Sequence, residues 1–321
     1  MSTENTKSIS PKLVMALGIL AVSTASLFIR FAQQNAPSLV VAAYRLGLAS
    51  LLLTPYILLQ HRSELRQLTH RQWLPMLLAG LFLAFHFGAW ITSLELTSVA
   101  SSVVLVTTTP LWVAIVAVVF LKEKLTRPLI TGLIVAMVGG VIVGISESCA
   151  FQNGRFLCTS GIELFQSESM LGNFLAMFGA WMAAAYLVVG RKVREHVDTM
   201  VYVYGVYSIA AIFLVIACLF TRQSLWGFSP NFYLWAFLLA IVPQIIGHTT
   251  YNWALGYLPT TFVSISLLGE PIGTILLAFL FLQETPTLIE SVGGVLILAG
   301  IYLASRTPVQ KSQPVSSSHS V

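Results

Sequence analysis

"PLWVAIVAVVFLKEKLTRPLITGLIVAMVG", residues 110–139, and "PIGTILLAFLFLQETPTLIESVGGVLILAG", residues 271–300, decide how this chain is read. Laid on each other without gaps, they pair Pro110 with Pro271, Ala117 with Ala278, Phe120 with Phe281, Leu121 with Leu282 and Glu123 with Glu284. Thr126 then falls on Thr287, Gly132 on Gly293 and Gly139 on Gly300. Eight identities in thirty positions, several of them Pro, Gly or Glu, exceed what apolar composition alone supplies. The chain is an internal duplication.

The surrounding sequence says what was duplicated. Of 321 residues, 56% are hydrophobic and 9% charged, with a mean hydropathy of +0.84, where an ordinary soluble domain is about 25% charged. This is the composition of an integral membrane protein. Ten apolar spans follow one another at 12–32, 37–59, 73–95, 97–121, 128–146, 170–190, 199–220, 231–256, 259–282 and 287–305. Each suits a hydrocarbon core of ~30 Å crossed at ~1.5 Å per residue. The first continues to Phe31 without a small-residue cleavage site, so it reads as a retained helix and not a signal peptide.

Ten spans in two copies give five per copy. Because five is odd, the copies enter the membrane from opposite sides and are related by a pseudo-two-fold axis in its plane, an arrangement characteristic of secondary transporters. The expected fold is an all-α integral membrane protein of ten transmembrane helices. The expected division is a first repeat at 12–146, an external loop at 147–169, a second repeat at 170–305 and a disordered Ser- and Pro-rich tail at 306–321.

Charge orients the chain. Lys7, Lys12, Arg62, Arg66, Arg71, Lys122, Lys124, Arg127, Arg191, Lys192, Arg194, Arg306 and Lys311 fall on the side of the N-terminus, against Arg30, Arg155 and Arg222 opposite; Arg45 lies inside a span. By the positive-inside rule both termini are expected in the cytoplasm of a plasma-membrane protein. The basic residues form no single patch, which argues against nucleic acid as a partner. Cys218 sits in an apolar span, while Cys149 and Cys158 share the external loop, where either a disulfide or two thiols fits the sequence.

The pattern "TTTPLWVAIVAVVFLKEKL" followed by "GLIVAMVGGVIVG", repeated as "LLGEPIGTILLAFLFLQE" followed by "GGVLILAGIYLAS", resembles the paired EamA modules of the drug/metabolite transporter superfamily over residues 12–305. The resemblance implies a ten-helix inverted-repeat carrier for small metabolites, many of whose relatives are exporters. It implies no particular substrate, since the superfamily covers amino acids, nucleotide sugars, sugar phosphates and cationic drugs. The small four-helix multidrug members use a glutamate in their first helix for proton coupling, and residues 12–32 contain no acidic residue. That coupling does not carry over.

Polar residues at membrane depth mark the expected site. In the eighth span Gln244, His248 and Asn252 recur at i, i+4 and i+8 with Tyr251 beside them, one stripe of a helix. Glu270 stands in the ninth span, His86 and Trp90 in the third, Thr109 in the fourth, Arg45 in the second and Trp181 in the sixth. A carboxylate costs roughly 2.5–3.5 kcal/mol at the bilayer centre on insertion scales, so Glu270 is expected to line a cavity. Pro271 has its counterpart in Pro110, but Glu270 falls opposite Thr109, an asymmetry expected to serve substrate reading.

These residues are expected to bind a small-molecule substrate, with a proton or a counter-substrate as coupling partner, in a monomer or homodimer surrounded by lipid. No cofactor or metal is expected. Asp198 is the one aspartate, and no H-E-x-x-H, G-x-S-x-G or Walker loop occurs, which argues against a membrane enzyme. A channel or a scramblase-like pore is the competing reading. The expected function is alternating-access transport of an amino acid or related polar compound, in the direction of export.

Overall fold

The computed structural model describes residues 11–121, 126–146, 149–152, 155–158, 167–194, 196–250 and 269–306. The first half contains α1 (Pro11–Ser23), α2 (Ala25–Gln33), α3 (Ser38–Gln60), the short α4 (Arg62–Gln67), α5 (His70–Leu96), α6 (Val99–Val106), α7 (Thr109–Leu121) and α8 (Arg127–Ile145). After the hairpin β1 (Cys149–Gln152) and β2 (Arg155–Cys158) come α9 (Glu168–Arg194), α10 (Thr199–Phe220), α11 (Pro230–Leu239), a π-helical segment (Ala240–His248), α12 (Gly269–Leu282) and α13 (Leu288–Ser305). Six apolar stretches among the described residues are long enough to cross a membrane. Four shorter apolar helices, Val99–Val113, Arg127–Val143, Gly269–Leu282 and Leu288–Ala304, stand at the other expected spans.

Packing follows the two-fold relation implied by the repeat. The third span (α5) packs on the sixth (α9), and their mates, the eighth (α11 and the π segment) and the first (α1, α2), pack on each other. The fourth span lies on the sixth as the ninth lies on the first. Two pairs join mate to mate: α3 with α10, and α8 with α13. Equivalent residues also start equivalent helices. Thr126 caps α8 by accepting from Leu129 N at 3.4 Å, and Thr287 caps α13 by accepting from Glu290 N at 3.2 Å.

At the α8–α13 pair the duplicated glycines meet. A Cβ on Gly132 would stand 2.5 Å from the carbonyl oxygen of Gly300, and one on Gly300 would stand 2.6 Å from that of Gly132. Gly139 and Gly293 repeat the arrangement at 2.6 and 2.9 Å. The repeat equates Gly132 with Gly293 and Gly139 with Gly300, so these are one contact made twice about the axis. Small residues give membrane helices this close approach, where packing rather than the hydrophobic effect drives association.

Three spans are interrupted, the fourth span among them, beside Pro110, which the repeat marks as a weak point. The first bends at Thr24, where Ser23 Oγ donates to Ile19 O at 2.8 Å and Thr24 Oγ1 to Ala21 O at 2.7 Å, hydrogen bonds that compete with the helix ladder. The fourth breaks at Thr107–Thr108, just before Pro110, which lacks an N–H and belongs at a helix start. The eighth widens into the π segment around Pro243, whose ring would clash with the carbonyl four residues back in an α-helix.

Among the described residues, the loop between the repeats holds the one departure from an all-helical chain. Antiparallel β1 and β2 place Cys149 opposite Cys158 and Gln152 opposite Arg155. Directly opposed Cα atoms lie ~4.5–5.5 Å apart in such a pair, within the span a disulfide bridges. Residues 307–321, which make up the expected tail beyond Arg306, and Glu123 lie outside the described residues.

A side chain cannot enter the glycine crossing without moving backbone. Gly300→Val is therefore expected to lower the thermal midpoint of detergent-purified protein, at a cost of at least ~1–3 kcal/mol. Gly47→Ala, where an added Cβ meets nothing within 4 Å, is expected to leave it unchanged. Equal midpoints for the two variants would contradict the crossing.

Candidate functional site

The polar residues of the middle spans converge on Arg45. Its side chain, carried inward by α3, is fully buried (0% exposed). Nε donates to Gln244 Oε1 at 2.7 Å, a bond between the second and eighth spans and so between the two repeats. The guanidinium lies over the ring of Phe87, 4.3 Å from its centroid, and 5.7 Å from that of Trp90. Such stacking is how a weakly hydrated, planar cation is accommodated away from water. The structure turns Arg45 into the bundle.

Around this cation sit most of the residues expected at the site. His86 stacks on Trp90 at 16° between ring planes and 5.9 Å between centroids, and its Nδ1 is 2.9 Å from Gly179 O of α9. His248 meets Phe87 edge-on at 6.0 Å. The π segment carries Gln244 and His248, and its wider turns replace the regular α-helical stripe that the sequence suggested. Glu270, at the start of α12, lies within electrostatic range of Arg45. Its backbone carbonyl accepts from Ser23 Oγ at 3.3 Å, while Thr274 Oγ1 donates to Ser23 O at 3.0 Å. Gly273 admits this approach: an added Cβ would stand 2.4 Å from Ser23 Oγ.

Other expected residues sit apart from this cluster or outside it. Thr109 Oγ1 donates to Val106 O at 2.8 Å, within its own helix, and more weakly to Ala180 O at 3.5 Å. Trp181 belongs to an aromatic group with Trp112, Phe174 and Phe178. Tyr251 and Asn252 lie outside the described residues.

Phe87 of the cluster is not singled out by sequence, whereas Tyr207 of the seventh span counts among the polar residues at membrane depth. Phe87 carries no polar signal, although its place between two candidate residues of one helix was a clue. Tyr207 is buried and within electrostatic range of Arg45.

A second polar group ties one end of the bundle. Glu284, just past α12, accepts from Val99 N at the start of α6 at 2.6 Å and pairs with Arg30 of α2 at 3.5 Å. Glu290 accepts from Ser101 Oγ at 2.8 Å and from Ser98 Oγ, while its other oxygen accepts from Thr287 N at 2.6 Å. Glu284 and Glu290 thus reach across to the other repeat and satisfy groups at a helix start there. A groove of about 450 Å³ on the flank between α5, α9 and α10 is apolar, lined by Leu39, Phe85, Phe178 and Phe213 among others, and holds none of these polar groups.

The model of the EamA-like transporter family matches residues 10–145 and 170–306. An Archaeoglobus fulgidus protein named an uncharacterized transporter is 23% identical over 297 residues, spanning 91% of this chain and 96% of that one. A Streptantibioticus cattleyicolor protein named a probable terminal-alkyne amino-acid exporter is 22% identical over 222 residues, 66% of each chain. A solved crystal structure at 20% identity superposes with a TM-score of 0.61 over 92% of this chain and 96% of its own, a likeness of fold.

Gln244 is the hydrogen-bond acceptor seen for the buried Arg45. Gln244→Leu is expected to cost ~1.5–3 kcal/mol, the range for a hydrogen bond to a charged group, read as a lowered thermal midpoint in detergent. Gln244→Glu, which restores an acceptor, is expected to recover it. A leucine variant as stable as the wild type would show that this bond holds nothing in place.

Proposed function

The chain belongs to the EamA-like transporter family, and from that premise we propose that it is a secondary transporter exporting a small polar metabolite, an amino acid or related compound, across the plasma membrane by alternating access. One observation carries this reading. The buried polar cluster draws Arg45, Phe87 and Trp90 from one repeat and Gln244, His248 and Glu270 from the other, so any rocking of the repeats changes the cluster's shape. Carriers built on inverted repeats bind at such a junction near the midplane, where helices are discontinuous. The interruptions at Thr24, Thr107–Thr108 and the π segment fit that pattern.

In this scheme the N- and C-termini face the cytoplasm, as the charge asymmetry of the loops suggests. The end tied by Glu284 and Glu290 is then external, and those two carboxylates hold that side shut. Opening outward requires Val99 N, Ser98 and Ser101 to exchange these acceptors for water. Glu270 serves as the substrate-facing carboxylate. It is the asymmetric addition to a symmetric scaffold, and its position across from Arg45 suits a group that binds a substrate cation or exchanges a proton during the cycle.

Two measurements test the proposal. Glu270→Gln is expected to abolish counterflow in proteoliposomes, or change which solutes are moved, while the protein still inserts and purifies as a folded species; unchanged transport would remove Glu270 from the site. A cysteine introduced at Gln166, in a background lacking the native cysteines, is expected to react with an impermeant thiol reagent in intact cells. Its protection would reverse the assigned orientation.

A further inference from the structure

Arg45 holds more hydrogen-bonding capacity than the described residues use. Its Nε is engaged by Gln244, but neither Nη1 nor Nη2 has a partner among the described residues, and both are buried. Gln244 Nε2 and Trp90 Nε1 are in the same condition. Every one of these four atoms is a donor. A buried guanidinium with idle N–H groups is costly, and proteins keep such an arrangement where a ligand completes it.

The missing group must accept only, and it must suit the free end of a guanidinium. With Nε occupied, the two terminal nitrogens remain as a pair, the fork that a carboxylate meets with two parallel hydrogen bonds. A phosphate dianion fits less well, because Arg45 is the one Lys or Arg of this cluster, Arg30 being paired with Glu284 at the end of the bundle, and a dianion would leave a net negative charge in low dielectric. Glu270 does not serve as the acceptor. It feels the charge of Arg45 but forms no ion pair with it among the described residues. With Glu270 ionised, a simple carboxylate would leave the site negative, whereas a solute bringing its own cation leaves it neutral. Phe87 and Trp90 supply an apolar wall beside the fork.

We propose that the Arg45 guanidinium, aided by Gln244 and Trp90, is the anchor for the carboxylate of the transported solute, with Glu270 facing that solute's ammonium group. The proposal rests on the transport reading above and adds to it the residue that selects the substrate's acid end.

The test uses purified full-length protein in liposomes, with counterflow of L-threonine, L-leucine and L-phenylalanine competed by their carboxamides and by the matching acids without the amino group. Wild type is expected to prefer at least one amino acid over its carboxamide by tenfold or more. Arg45→Gln is expected to bring that ratio close to one, and Arg45→Lys to keep part of it because a charge remains without the fork. An equal response to acid and carboxamide, or an unchanged ratio in Arg45→Gln, overturns the anchor. Should Arg45→Gln fail to fold, the wild-type ratio and the Arg45→Lys variant decide. Saturable counterflow of carboxamides alone would leave the transporter reading standing and bring down the anchor; no saturable movement of any of these solutes would count against both.

Discussion

In the hydrocarbon core of a bilayer a polar group finds its hydrogen bonds inside the protein or goes without them, and this governs the whole chain. Helices meet the requirement for most of the backbone. Where a helix is interrupted, neighbouring hydroxyls step in: Thr107 Oγ1 and Thr108 Oγ1 bond Val103 O and Leu105 O at 2.6 Å each, and Thr274 of the ninth span supplies Ser23 O of the first. Among the described residues other buried groups also lack partners, the hydroxyls of Ser50 and Tyr202 included, but the terminal nitrogens of Arg45 alone among them carry a charge.

The duplication explains the scaffold, and the departures from it explain the chemistry. Thr109 and Glu270 occupy equivalent places before equivalent prolines, yet Thr109 spends its hydroxyl on Val106 O whereas Glu270 brings a charge within reach of Arg45. At the tied end Glu284 has a sequence counterpart in Glu123, while Glu290 falls opposite Leu129. Of the two equivalent helix starts, that of α13 alone carries a carboxylate at this position.

Much of this was legible in the sequence, because the bilayer imposes long apolar runs and the repeat is recorded residue by residue. The ten spans, their pairing into halves and the depth of Arg45, His86, Gln244 and Glu270 follow from counting. The interruptions were harder to read. Pro243 announced a disturbed helix but not that it would widen into a π segment, since a proline kinks, breaks or bulges according to what packs beside it. The hairpin was missed although Asn153-Gly154, a strong hairpin signal, stands between its strands. The bonds of Glu284 to Val99 and of Arg45 to Gln244 join residues 185 and 199 positions apart, and no local pattern encodes such partners.

The glycine crossing of α8 and α13 also has a mechanical meaning. Most helix pairs lock by setting ridges of side chains into grooves, so sliding or turning one on the other must climb over those ridges. At Gly132, Gly139, Gly293 and Gly300 partner backbone comes within contact, with only Ala136, Val143, Leu296 and Ala304 adding side-chain atoms beside it, so the ridges there are low. A joint of that kind behaves as a plain bearing: tight along the line between the helices, yet smooth to small rotation about it. Because it maps onto itself under the two-fold relation, any tilt of one half against the other would turn about the same line.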